Sequence, residues 1–158
     1  MSLNGNILIK LLCVALFLVS GSGFANQPVE LRSLNSNQTI QWARDNAKGS
    51  ELFVYFQADC LSCRQQAKHL GCLSDQVVVR FVGAKSKAKG LRKAALRMGV
   101  LNRAFKVDEA GLRTYGFNEP VTPQMAFYGT NTKSHWIGYK SCEEIKNIVE
   151  PEGADEPS

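Results

Sequence analysis

Cys60-Leu61-Ser62-Cys63 is the constellation in this 158-residue chain best suited to chemistry. Two thiols with two residues between them can cycle between a dithiol and a disulfide, because one turn of helix brings the second sulfur back to the first. A sulfur at a helix N-terminus faces unpaired backbone N–H groups and the positive end of the helix dipole, both of which favour thiolate, the attacking species. Cys60 is therefore expected to be the exposed nucleophile and Cys63, one turn in, the resolving thiol. Asp59 opposes thiolate formation at its neighbour and Arg64 supports it. Cys60, Cys63, His69 and Cys72 also have the residue types of a zinc site. On a continuous helix, with Cys60 at 0°, Cys63 falls near about 300°, His69 near about 180° and Cys72 near about 120°. One metal ion cannot collect all four unless the helix is absent, so no metal is expected and His69 reads as an exposed helix residue.

The surrounding pattern must place this pair where a strand gives way to a helix. The run 52–56 is continuously apolar and rich in β-formers, as in a buried strand. Asp59 is expected to cap a helix from Cys60 to about Leu70, with Ala67 and Leu70 on the face shared with Cys63 and with Gly71 at its exit. Upstream, 29–34 reads as an edge strand and 37–47 as a helix capped by Asn37, with Ile40, Ala43 and Ala47 at helical spacing and Trp42 in the core. Downstream follow a buried strand at 76–82, an amphipathic helix at 86–98, a short strand at 104–107 and a helical turn or two at 108–115. The runs 125–128 and 135–139 flank Gly129-Thr130-Asn131-Thr132, a hairpin turn, and place His135 and Trp136 in packing roles. A last helix at 141–149 opens on the capping-box spacing Ser141…Glu144. Alternating strands and helices imply an α/β fold with a mixed central sheet flanked by helices, parallel in its first part.

At either end the chain reads differently. Lys10 is the sole charge in residues 1–29, 11–19 is an apolar run of nine, and Gly23 and Ala25 stand at −3 and −1 of a cleavage site. This is the pattern of a signal peptide; the alternative is an uncleaved anchor, for which the run falls short of the about 20 apolar residues of a membrane helix. Cleavage after Ala25 leaves a domain at 26–149, an acidic tail at 150–158, and a periplasmic or secreted protein. The full chain carries 19 Lys+Arg against 14 Asp+Glu and is 44% hydrophobic, an ordinary single globular domain. An exported chain with few cysteines is better suited to a redox pair than to a metal clip. Residues 80–106 hold nine basic residues and no acid. That run reads first as a solvated helix face and second as a surface for an acidic partner, anionic lipid or nucleic acid. No stacking platform or nucleic-acid motif accompanies it, so no nucleic-acid partner is expected.

Val54-Tyr55-Phe56-Gln57-Ala58-Asp59-Cys60-Leu61-Ser62-Cys63-Arg64, with Val121-Thr122-Pro123 before 125–128 and Tyr115-Gly116-Phe117 ahead of both, resembles the thioredoxin-like superfamily. The strand 76–82, the basic helix 86–98 and Val107-Asp108-Glu109-Ala110-Gly111 resemble the extra β-α unit of its exported TlpA-type members, placed before the cis-proline. The resemblance implies a thiol–disulfide oxidoreductase with Cys60 and Cys63 catalytic. It implies a cis peptide at Pro123, with Thr122 and Pro123 binding an extended substrate strand. Pro120 competes for the cis position, and Asp59 replaces the family's usual Trp. Protein disulfides would be the substrates, a membrane or soluble redox partner would complete the cycle in either direction of electron flow, no cofactor would be needed, and the absence of a dimerisation domain points to a monomer. In that fold Cys72 ends the active-site helix on the far side and Cys142 begins the last helix on the near side. Their separation would exceed about 7 Å, so pairing would require a shift of either helix. Two rival readings use the same fold: a copper or zinc chaperone holding metal on the two thiolates, and a non-catalytic module that captures partners on the basic helix.

Overall fold

The computed structural model describes residues 28–44, 49–117 and 121–149. Its elements in chain order are β1 Val29–Ser33, β2 Thr39–Trp42, β3 Ser50–Tyr55, α1 Leu61–His69, β4 Val77–Gly83, α2 Ala88–Arg97, β5 Ala104–Lys106, α3 Glu109–Thr114, β6 Gln124–Tyr128, β7 Lys133–Ile137 and α4 Cys142–Val149. The strands form one sheet in the order β2-β1-β5-β4-β3-β6-β7. β3 runs parallel to β4 and antiparallel to β6. A strand paired on both edges and covered on both faces must be apolar throughout, which is why 52–56 shows no alternation.

The helices follow from the order of the strands. β3–α1–β4 and β4–α2–β5 step the same way across the sheet, and right-handed crossovers then put α1 and α2 on one face. The return from β5 through α3 to β6 steps the other way and covers the opposite face. The two cores reflect this division. Leu52, Val54 and Phe56 pack with Cys63, Ala67, Leu91, Ala94 and Ile145 on one side. Phe53 and Tyr55 pack with Leu112, Tyr115 and Trp42 on the other. Burying each Leu, Val, Ile or Phe among them contributes about 1.5–3 kcal/mol. α2 approaches the sheet closely because Gly83 has no side chain: a Cβ there would lie 2.7 Å from Leu91 Cδ2 and 3.2 Å from the Phe56 carbonyl oxygen.

Two sequence expectations change. In place of the helix expected at 37–47, residues 39–42 are a strand: β2 forms a hairpin with β1, Leu31 opposite Ile40 and Val29 opposite Trp42. Residues 45–47 of that expected helix lie outside the described residues. Thr39, Ile40 and Trp42 are β-formers whose spacing fits a period of two as well as it fits a helix. The turn is closed by Ser33, whose Oγ accepts from the backbone N–H of Asn35 and Ser36 at 3.2 Å each. Trp42 is buried as expected, but from a strand, and its Nε1 donates to Glu51. The second change concerns 29–34: β1 lies between β2 and β5, so it is an interior strand and β2 is the edge. The remaining strands and helices fall where the pattern puts them, within two residues at either end. The candidate signal peptide, Pro120 and the acidic tail lie outside the described residues. No helix among the described residues is long and apolar enough to cross a membrane.

Candidate active site

β3 delivers the chain to the site. After buried Phe56, whose N–H donates to Val82 O at 3.0 Å, the loop 57–59 turns and the Cys60 N–H donates to Gln57 O at 3.3 Å. Cys60 is extended, with φ −80° and ψ 103°, so it occupies the N-cap position itself. Its sulfur accepts from the Cys63 N–H at 3.1 Å. This corrects the expected cap: Asp59 stands one residue too early, exposed, and the helix starts at Leu61. Cys60 and Cys63 form a disulfide, with Cα atoms 5.3 Å apart. Cys63 is fully buried, whereas Cys60 is half-buried.

The second strand end at the site belongs to β6. The Thr122–Pro123 peptide that precedes it is cis. Ser62 joins the two segments: its Oγ donates to the Thr122 carbonyl at 3.3 Å and lies 3.4 Å from the Cys60 sulfur. Val121 is held by its carbonyl, which accepts from Gln124 Nε2 at 2.7 Å, and the Pro123 carbonyl accepts from the Gly138 N–H at 2.8 Å. Leu61 and Val121, one beside each segment, are 68% and 48% exposed, leaving apolar surface next to the sulfurs. Cys60, Cys63, Thr122 and Pro123, chosen from sequence, thus come together. Ser62 was not chosen, and a lone hydroxyl between two cysteines carries no sequence signal for a partner sixty residues away.

A third segment braces α1. The buried Gln66 amide donates to Lys140 O at 3.0 Å and accepts from the Lys140 N–H at 2.8 Å. One turn on, His69 meets Tyr139 edge to face with ring centroids 5.2 Å apart. After another turn, Cys72 is bonded to Cys142 across a Cα separation of 6.3 Å. This overturns the expected separation of these two cysteines. α1 stops at His69 and tightens into a 3-10 turn over Leu70–Cys72, so Cys72 ends beside the 139–142 segment rather than beyond it. A strip of α1 and its extension at three-residue steps therefore faces that segment. The missed residue, Gln66, had a signal: it lies about 60° from Cys63 and about 40° from Leu70 on the helix, too close to the buried face for an unpaired amide. With Cys72 in a disulfide the four-residue zinc set is not assembled, and no group of three His, Cys, Asp or Glu among the described residues could hold a metal ion.

Beyond the bridge, the Ser141–Glu144 capping box forms as the spacing predicts. Glu144 accepts from the Ser141 N–H at 2.8 Å, and Ser141 Oγ accepts from the Glu144 N–H at 3.3 Å. The Ser141 backbone bond, and then Lys140, hold the Glu144 carboxyl down to about 2. On the opposite flank of α1, α2 packs against the active-site loop. Arg97 donates to Ala58 O at 3.3 Å, and a Cβ on Gly90 would lie 3.7 Å from Ala58 Cβ.

Solved structures similar to this chain include a disulfide oxidoreductase and a thiol:disulfide interchange protein. A secreted Mycobacterium tuberculosis disulfide oxidoreductase, homologous to Escherichia coli DsbE, aligns with a TM-score of 0.60 and 13% identity over 76% of this chain and 92% of its own. A thiol:disulfide interchange protein of the thioredoxin family from Chlorobium tepidum aligns at 0.61 and 11%, over 82% of this chain and 97% of its own. StoA from Bacillus subtilis aligns at 0.57 and 12%, over 78% and 97%. No protein-family model matches the chain, and no curated protein sequence does. Identities this low speak to architecture, and the architecture is the thioredoxin-like fold.

Proposed function

We propose that this chain is an exported thiol–disulfide oxidoreductase that acts as a monomer on protein disulfides, without a cofactor. The observation that carries the reading is the Cys60–Cys63 disulfide at the start of α1, its half-buried sulfur sharing Ser62 Oγ with the carbonyl before a cis-proline. In the reduced protein the Cys60 thiolate attacks one sulfur of a substrate disulfide; a mixed disulfide forms and the other substrate sulfur leaves as a thiolate, taking up a proton. Cys63, deprotonated, then attacks the Cys60 sulfur. The second substrate thiol departs, and the Cys60–Cys63 bond closes. The substrate gains two electrons and two protons, the two cysteines lose them, and a membrane or soluble redox partner restores the dithiol. The reverse sequence oxidises a substrate dithiol through the same atoms. An extended substrate segment pairs with the backbone at Thr122 and packs on Pro123, which sets its sulfur beside Cys60.

Burial supports the division of roles, since only the leading sulfur can meet a second protein. The solved structures named above support the reaction class, and the candidate signal peptide supports export. The test is trapping in the native compartment. Cys63→Ala should accumulate mixed disulfides on Cys60, and Cys60→Ser should accumulate none. Absence of both the mixed species and any 60–63 couple in a redox titration would overturn the proposal. Detection of an N-terminus at Asn26 in the extracytoplasmic fraction would test export separately.

A further inference from the structure

We infer that the basic face of α2 is a recognition surface that selects disulfide substrates flanked by acidic residues. The inference rests on the oxidoreductase reading and adds the substrate class. Lys89, Arg92, Lys93 and Arg97 are all exposed on α2. Lys89, Lys93 and Arg97 follow one another at i,i+4, where like charges oppose helix formation and a Glu at any of the three would relieve them. No acid occurs anywhere in 80–106, and among the described residues no carboxylate pairs with Lys89, Arg92 or Lys93. The other arginines of the run are engaged. Arg80 is bonded to Glu51 and stacked on Phe105, and Arg103 stacks on Phe81.

The position of this face separates it from an ordinary solvated helix surface. Right-handed crossovers set α2 beside α1 on the same side of the sheet. Arg97 reaches the Ala58 carbonyl, two residues before Cys60, and Gly90 lies against Ala58 itself. The positive face therefore adjoins the loop that carries the reactive sulfur, and Arg64 and Lys68 of α1 extend it, with exposed Asp59 the one acid between Gln57 and Ser74. A protein whose disulfide enters beside Leu61 and Val121 must lay its flanking residues over α2 or over the opposite flank. Carboxylates on the α2 side meet several unpaired cations within a Debye length of about 8–10 Å. Fields of this kind raise encounter rates by about 10–1,000-fold at low salt. An anionic lipid surface would match the charge but has no reason to lie beside a sulfur pair, so an acidic polypeptide is the occupant favoured by the placement.

The experiment uses the full exported chain and three synthetic peptides that share one disulfide loop, flanked by glutamates, by serines or by lysines. At about 20 mM salt the glutamate peptide should be turned over with kcat/KM about tenfold or more above the lysine peptide, and the ratio should approach one at about 0.5 M salt. The triple variant Lys89→Glu, Arg92→Glu, Lys93→Glu should reverse the order while keeping the serine peptide unchanged. The salt titration of the unaltered chain reads the same preference should that variant fail to fold. Equal turnover of the three peptides would overturn the inference and leave the oxidoreductase reading standing. Equal turnover together with binding to phosphatidylglycerol vesicles would overturn it in favour of a lipid surface. Failure to exchange with any peptide, with no mixed disulfide on Cys60, would remove the oxidoreductase reading and this inference with it.

Discussion

The chain carries two disulfides of opposite character. Cys60–Cys63 closes a loop of three residues within one helical turn, and one of its sulfurs reaches the surface. Cys72–Cys142 spans seventy residues and ties the exit of α1 to the start of α4. In the chain-entropy picture a bridge over so long a loop restrains the unfolded ensemble by roughly 4 kcal/mol, and a local one by far less. Opening the local bond leaves α1 held by its packing and by the distant bond. Under the proposed function the one pair would change redox state repeatedly while the other keeps the helix beneath it in place.

The sharpest way to break this comparison is to remove the local sulfurs. Cys60→Ser should lower exchange with a protein disulfide at least about a thousandfold, while its urea midpoint moves little. If activity persists at a tenth of the original rate, the assignment of the nucleophile is wrong. Second comes the distant bond: Cys72→Ala with Cys142→Ala should cost about 2–4 kcal/mol in urea unfolding, yet leave the Cys60–Cys63 couple able to exchange. Loss of exchange at full occupancy of the fold would show that the two bonds are not separable.

Gln66→Leu sharpens the same contrast at a lower amplitude. It strands the N–H and C=O of Lys140, for a cost of about 1–3 kcal/mol measured by urea unfolding. Combined with Cys72→Ala and Cys142→Ala, it should prove non-additive, because both contacts hold the same segment. The smallest effect belongs to Glu144. Its folded pKa, about 2, lies below its ordinary 4.5, so its contribution is present above pH 4.5 and fades as pH falls through about 2. Glu144→Ala should lower the thermal midpoint slightly at pH 7 and not at all at about pH 1. A constant difference across that range would remove the carboxylate from the capping box.

The local pair and the strand before it were readable because each is written in a few adjacent residues, whereas the prolyl loop was expected only from the family resemblance. The capping box at Ser141, where the Ser141 Oγ accepts from the Glu144 N–H, is as local as the pair and the strand. The distant bond was not readable. It depends on where α1 stops and on how the 3-10 turn at Leu70–Cys72 directs Cys72, and neither follows from spacing. The β1–β2 hairpin was misread for a related reason. Ile40 and Ala43 satisfy a helical period, but the pairing of Leu31 with Ile40 and the bond from Trp42 to Glu51 lie outside any local window. Ser62 acts through a backbone group of a remote segment, so its residue type gave no warning, and the place of Gln66 on the buried helix face signalled that it needed a partner but not that the partner is Lys140.

Gln66 grips both polar atoms of the Lys140 main chain at once, and His69 and Cys72 repeat the attachment further along. Hydrogen–deuterium exchange should therefore report α1 and residues 138–141 as a single cooperative unit, opening together and at similar free energy. Under the proposed exchange, a platform that opens only as a whole would let a partner protein pull on the mixed disulfide without unravelling the helix that holds it.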